Sequence, residues 1–141
     1  MIRQLLHAFP LMAVCVVVHA SGISVAMDMA RPRIEGRFFE RERLFIRLAA
    51  WVILCHLVEI GIWALAYEWK GAMPDLTSAL YFSAVTYTTT GYGDLVLPQN
   101  WRLVGGVEAL TGILMCGWST GFFFAVVSRM GNSDGTKEAA R

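Results

Sequence analysis

The residue types able to do chemistry are few in this chain, and one short stretch concentrates them. In Thr89-Thr90-Gly91-Tyr92-Gly93-Asp94, two glycines stand one residue apart. Glycine takes backbone angles that residues with side chains resist, so successive carbonyl oxygens can be turned to one side. Oxygens are what a hard cation accepts in place of its water shell. A dehydrated ion needs roughly eight of them, more than one strand supplies. Other polar candidates are scattered: His56, Glu59 and Glu108 stand in apolar surroundings, and Cys15, Cys55 and Cys116 are far apart. An odd cysteine count without CxxC spacing argues against a disulfide scaffold and against a zinc site. The sequence contains no GxSxG, HExxH or phosphate loop, nor paired carboxylates suited to a soluble pocket, so no enzymatic reaction is legible.

The elements that must position these residues follow from composition. Of 141 residues, 56% are hydrophobic and only 16% are charged, and mean hydropathy is +0.51. A soluble domain carries about 25% charged residues. Disorder is excluded by the high hydrophobicity, and a net charge of +1 gives no reason to expect a nucleic-acid partner. Ala8–Met27 contains no Asp, Glu, Lys or Arg, Leu48–Tyr67 is broken only by Glu59, and Ala109–Ser128 is again uncharged. Each is long enough to cross ~30 Å of hydrocarbon. Leu76–Thr88 is different: at 1.5 Å per residue it reaches roughly 20 Å, enough to dip into a membrane but not to cross it. Pro74 and Asp75 mark its start.

These runs predict an all-α membrane protein with three transmembrane helices and a re-entrant helix and loop between the second and third. The expected map is an N-terminal span in 1–27, a basic connector in 28–47, an outer helix in 48–67, a short helix in 76–88, the loop 89–94, an inner helix in 102–130 and a disordered tail in 131–141. Charge inside a span costs about 2.5–3.5 kcal/mol on insertion scales, which makes Glu59 and Glu108 functional candidates by default. Glu59, toward the outer end of its helix, is expected to reach the interface. Glu108 is expected to hydrogen-bond the short helix, and His56 to be a packed polar residue rather than a metal ligand.

Orientation follows from the cations. Arg31, Arg33, Arg37, Arg41, Arg43 and Arg47 fill the connector, whereas Glu68–Trp101 carries only Lys70. Lys and Arg in short loops mark the cytoplasmic side. The connector and C-terminus are thus expected inside, the N-terminus outside, with Trp63, Trp69 and Trp101 in an outer aromatic belt. A cleavable signal ending at Val18-His19-Ala20 is the competing reading of the N-terminus. It would leave six arginines outside, so a retained helix is preferred. The arginines alternate with Glu35, Glu40 and Glu42 in a polar stretch, which excludes a voltage sensor. The connector is either a solvated loop or an interfacial helix that turns Arg31–Arg47 toward anionic lipid headgroups.

With a half-length helix, two flanking spans and the Thr-Thr-Gly-Tyr-Gly-Asp loop, the chain resembles the potassium-channel family, whose signature is TVGYG in four copies. Thr90 stands in the place of the Val. The resemblance covers about Leu48–Met130 and is specific at the loop. It implies that the carbonyls of Thr89, Thr90, Gly91 and Tyr92 hold K+ in stacked sites, with the Thr89 hydroxyl closing the innermost. It further implies that Gly93 completes the loop, that Tyr92 packs on the short helix and that Asp94 concentrates cations at the outer mouth. On the inner helix it gives Gly112 as a hinge, with Gly117 and Gly121 as alternative positions and close packing the other reading, and Ile113, Cys116 and Thr120 as cavity-facing. Departures are Val85 where many members carry an acidic residue, and Tyr81-Phe82 in place of a tryptophan pair. The function implied is a homotetrameric K+ channel in a bacterial inner membrane, with lipid as its surroundings and no cofactor beyond the permeant ion. A non-conducting or regulatory membrane subunit, or the pore subunit of a potassium transport system, is the alternative.

Overall fold

A computed structural model gives the arrangement for residues 2–30 and 38–139, with side chains described for 6–30 and 39–131. Four helices make it up: α1 (Ile2–Ala30), α2 (Phe38–Trp69), α3 (Leu76–Tyr87) and α4 (Arg102–Ala139). No strand occurs among the described residues. Leu6–Ala30, Phe39–Trp69 and Arg102–Gly131 are each long and apolar enough to cross a membrane. The protein is an all-α, multi-pass membrane protein.

Two ends differ from expectation. First, α2 begins well before Leu48, so Arg41, Arg43 and Arg47 lie on its first turns rather than on a separate interfacial helix. Arg, Glu and Leu are good helix formers, and a helix once nucleated adds a hydrogen bond for each residue it fixes. Glu40 in the first turn also suits the positive end of the helix dipole. The rest of the connector, with Arg31, Arg33 and Arg37, lies outside the described residues. Second, α4 runs on to Ala139 where a disordered tail was expected. Propagation from a long helix, helped by Lys137, Glu138 and Ala139, outweighs Gly131 and Gly135.

Each long helix buries one stripe. On α1 it runs through Ala8, Cys15, His19, Ile23, Ala26 and Ala30; on α2 through Leu44, Leu48, Val52, Cys55, Glu59, Trp63 and Tyr67. The steps of three, four or seven are the helical repeat. On α4 the stripe is Val104, Glu108, Met115, Ser119, Phe122 and Val126. These stripes meet in two apolar clusters. One joins Ala8 and Cys15 to Trp63, Tyr67, Ala79, Tyr87, Val104 and Met115, and so includes α3. The other joins Ile23 and Ala26 to Leu44, Leu48, Phe122 and Val126. The start of α1 therefore lies beside the end of α2 and the start of α4, so α2 runs opposite to both.

Helix α1 packs along both α2 and α4, which scarcely touch each other, while α3 fills the space between them at the opposite face. Close approach depends on small residues, as is usual where lipid removes the hydrophobic drive. A Cβ on Gly22 would stand 2.4 Å from Cys55 Sγ, and one on Gly112 would stand 1.9 Å from the Tyr87 carbonyl oxygen. Outward faces keep Ile53, Leu54, Leu57 and Val58 exposed, as suits lipid. Trp63 departs from the expected belt: it is fully buried in the core, while Trp69 is exposed and Trp101 meets the His7 ring edge-on. Its position on the α2 stripe, in one buried cluster with Cys15 and Met115, outweighs any interfacial preference.

Candidate functional site

Helix α3 is fixed at both ends by its own residues. The Asp75 carboxylate caps its start, accepting from the Ser78 backbone N–H at 2.8 Å and from Ser78 Oγ at 2.9 Å. Those hydrogen bonds hold the Asp75 carboxyl below its ordinary pKa. At the other end Thr88 donates its N–H to the Ala84 carbonyl at 3.2 Å and its hydroxyl to the same oxygen at 2.7 Å. The helix stops there because the next residue changes hand.

Beyond that point φ alternates in sign. It is +59° at Thr89, +57° at Gly91 and +78° at Gly93, while Thr90 and Tyr92 keep the ordinary sign. Residues of alternating hand turn successive peptide groups the same way, so N–H groups line one side and carbonyls the other. For glycine this costs little; for a β-branched residue a positive φ is an outlier costing about 1–3 kcal/mol. Thr89 is held in it by local bonds: its N–H reaches the Thr86 carbonyl at 2.9 Å and the Gly91 N–H reaches Val85 at 3.2 Å. The hydroxyls of Thr88 and Thr90 pair at 2.9 Å. Tyr81 Oη donates to Asp94 Oδ2 at 2.7 Å, tying the end of the loop back to α3. This bond lowers the Asp94 pKa and raises that of Tyr81.

Two buried carboxylates stand behind α3. Glu108 accepts from Tyr67 Oη at 2.7 Å and from Ser83 Oγ, and Ser83 also lies 2.9 Å from the Ile60 carbonyl. The expected bond from Glu108 to the short helix is present. Glu59 corrects its expectation: it is fully buried within the helix bundle. Tyr87 Oη donates to Glu59, and His19 Nδ1 lies 2.9 Å from its other oxygen. Partners on α1 and α3 keep the carboxylate inside.

The inner-helix candidates divide. Ile113, Cys116 and Thr120 share an exposed face of α4, whereas Gly112, at the edge of that face, is buried against Tyr87. That contact supports close packing over a hinge. Tyr92, expected to pack on the short helix, is 71% exposed within its own chain. Sequence reasoning passed over His19, Tyr87 and Ser119, which join Glu59 and His56 in one polar layer between the two apolar clusters. The available signal was a histidine inside an otherwise apolar span.

The family model described as Ion channel matches residues 49–129, which takes in α2 from its fourth turn onward, all of α3 and the loop, and most of α4. No curated protein matches the chain, and no solved structure matches it.

Proposed function

Because this chain belongs to the ion-channel family, we propose that it is a potassium-selective channel subunit whose pore is formed by four copies. The observation that carries the reading is the alternation of hand from Thr89 to Gly93 at the end of a helix too short to cross a membrane. At 1.5 Å per residue the 12 residues of α3 extend about 18 Å. Irregular backbone at membrane depth is tolerated where protein or a water-filled path surrounds it, so α3 is read as a re-entrant pore helix. Its C-terminal end carries partial negative charge toward the cavity below, which favours a cation there.

In the proposed pore, carbonyls of Thr89, Thr90, Gly91 and Tyr92 from four chains form stacked rings, and the Thr89 hydroxyls close the innermost. Asp94, whose charged form the Tyr81 hydroxyl favours, attracts cations at the mouth. Tyr92 finds its cover on a neighbouring chain, which accounts for its exposure in isolation. Ile113, Cys116 and Thr120 line the cavity below. The start of α1 and the loop lie at one end of the bundle, and the arginine-bearing start of α2 at the other. By the positive-inside rule the latter is cytoplasmic, in a bacterial inner membrane. The test is flux from liposomes holding the purified protein. Potassium efflux well above that of sodium is expected; equal rates for the two ions, or none for potassium, would sink the proposal.

A further inference from the structure

We infer that His19, His56 and Glu59 form a binding site for a divalent transition-metal ion of the zinc class. His19 comes from α1, and His56 and Glu59 from successive turns of α2. One ligand atom from each lies within 4.8 Å of the others. Two imidazoles and a carboxylate are a set that zinc accepts, with a fourth position left for water or another oxygen. The site lies in the polar layer between the two apolar clusters, with His19 and Glu59 fully buried and 16% of the His56 side chain accessible.

The surrounding hydrogen bonds orient the donors. Ser119 Oγ on α4 lies 3.1 Å from His19 Nε2 and 3.1 Å from His56 Nε2. A hydroxyl oxygen has two lone pairs and accepts from both rings. His19 Nδ1 is then left with its lone pair toward Glu59 Oε1 at 2.9 Å, and His56 Nδ1 with its lone pair toward the Tyr87 hydroxyl, 3.9 Å from Glu59 Oε2. A metal-bound histidine ordinarily donates its other N–H to such an outer partner, which fixes ring and tautomer. A tetrahedral zinc about 2.0–2.1 Å from each donor holds donors about 3.3 Å apart. The three ligand atoms lie within 4.8 Å of one another, so the donors must close by at most about 1.5 Å to seat the ion. Tyr87 Oη, 3.0 Å from His56 Nδ1 and bonded to Glu59, adjoins the fourth position.

A count of hydrogens points the same way. The layer contains five close polar contacts: His19 with Glu59, Tyr87 with Glu59, His56 with Tyr87, and Ser119 with each histidine. With Ser119 accepting from both rings, the two neutral histidines and Tyr87 supply three hydrogens to these contacts when Glu59 is ionised. The contacts at His19 Nδ1 and His56 Nδ1 are then left without one, and a metal ion held by both lone pairs and Glu59 fills both gaps. Cys15 and Cys55 are buried on the same stripes but are not among the three residues that converge.

The inference is independent of which ion the loop conducts, because its readout is binding. The full chain, purified without a polyhistidine tag and stripped with a chelator, is loaded with Zn2+ or Co2+ and desalted. About one ion per chain is expected by elemental analysis, with visible Co2+ absorption typical of a tetrahedral site and a zinc-dependent rise in the thermal midpoint. His19→Gln and His56→Gln keep a hydrogen-bonding amide while removing a ligand, and each should abolish all three signals. Ser119→Ala, which leaves the ligands in place, should weaken binding about 10–100-fold. Wild-type protein that retains no ion overturns the inference, as does binding that persists undiminished in both Gln variants.

Discussion

Thr89 stands at φ +59°, a conformation a β-branched side chain adopts only under constraint, and this is where the proposed filter begins. Gly91 and Gly93 repeat that hand without its cost. A Cβ on Gly91 would meet nothing within 4 Å in its own chain, so Gly91→Ala costs about 1–2 kcal/mol from backbone conformation alone. Assembly on size exclusion should persist while potassium flux is lost; selective flux in the variant would remove the filter assignment. Asp94 gives a second prediction. Its pKa is depressed chiefly by the Tyr81 hydroxyl, so the tie between loop and α3 is present above the unfolded carboxyl pKa and is lost as pH falls through the lower folded one. In Tyr81→Phe the Asp94 titration followed by carbon NMR should move to higher pH, toward the ordinary carboxylate range. The unusual backbone at Gly91 and Gly93 was legible because it is local in sequence. Glu59 was not: a count along α2 sees a lone carboxylate, while His19 stands 40 positions away and Tyr87 on another helix.

At the level of elements, the spans and the short helix were legible from charge-free runs and from length, but their ends were not. Whether Arg41–Arg47 continues a helix depends on propagation from α2, which composition does not encode. Helix contacts were equally hidden, and Gly112 shows why. Hinge and packing leave the same residue in the sequence, and only the Tyr87 carbonyl opposite separates them. Backbone cannot yield as a flexible side chain does, so Gly112→Ala must push α3 and α4 apart, at about 1–3 kcal/mol for overpacking. Gly117, with open space where a Cβ would go, provides the contrast. Gly117→Ala removes a helix-destabilising residue and should gain up to about 1 kcal/mol. Thermal unfolding in detergent is expected to shift down for the first and to stay level or rise for the second. Equal shifts would show that the α3–α4 contact is not tight.

For the whole molecule, the position of α1 decides what a subunit is. It packs along α2 and α4 of its own chain and contributes to both apolar clusters, although the family match begins after it, at residue 49. Deleting the residues before Asp28 would strip Ala8, Cys15 and Ile23 from those clusters and take the His19 partner from Glu59, leaving it Tyr87. The expected result is weaker assembly or insertion, read as less tetramer on native mass spectrometry, with the potassium-to-sodium ratio of surviving particles unchanged. The proposed number of chains rests on the loop itself. One chain offers a single line of carbonyls, and a dehydrated potassium ion needs oxygens on every side. Tyr92 is uncovered in isolation, so the loop lacks the wall that would hold its diameter. Four copies around an axis remedy both deficits, giving each ion two rings of four oxygens; two or three copies leave a gap for water or lipid. Closed cyclic symmetry is the usual arrangement for identical subunits. Four chains of 15.7 kDa make about 63 kDa of protein, the mass native mass spectrometry should find in conducting particles. A stable dimer that conducts potassium selectively would refute the ring, because no pair of single lines can surround the ion.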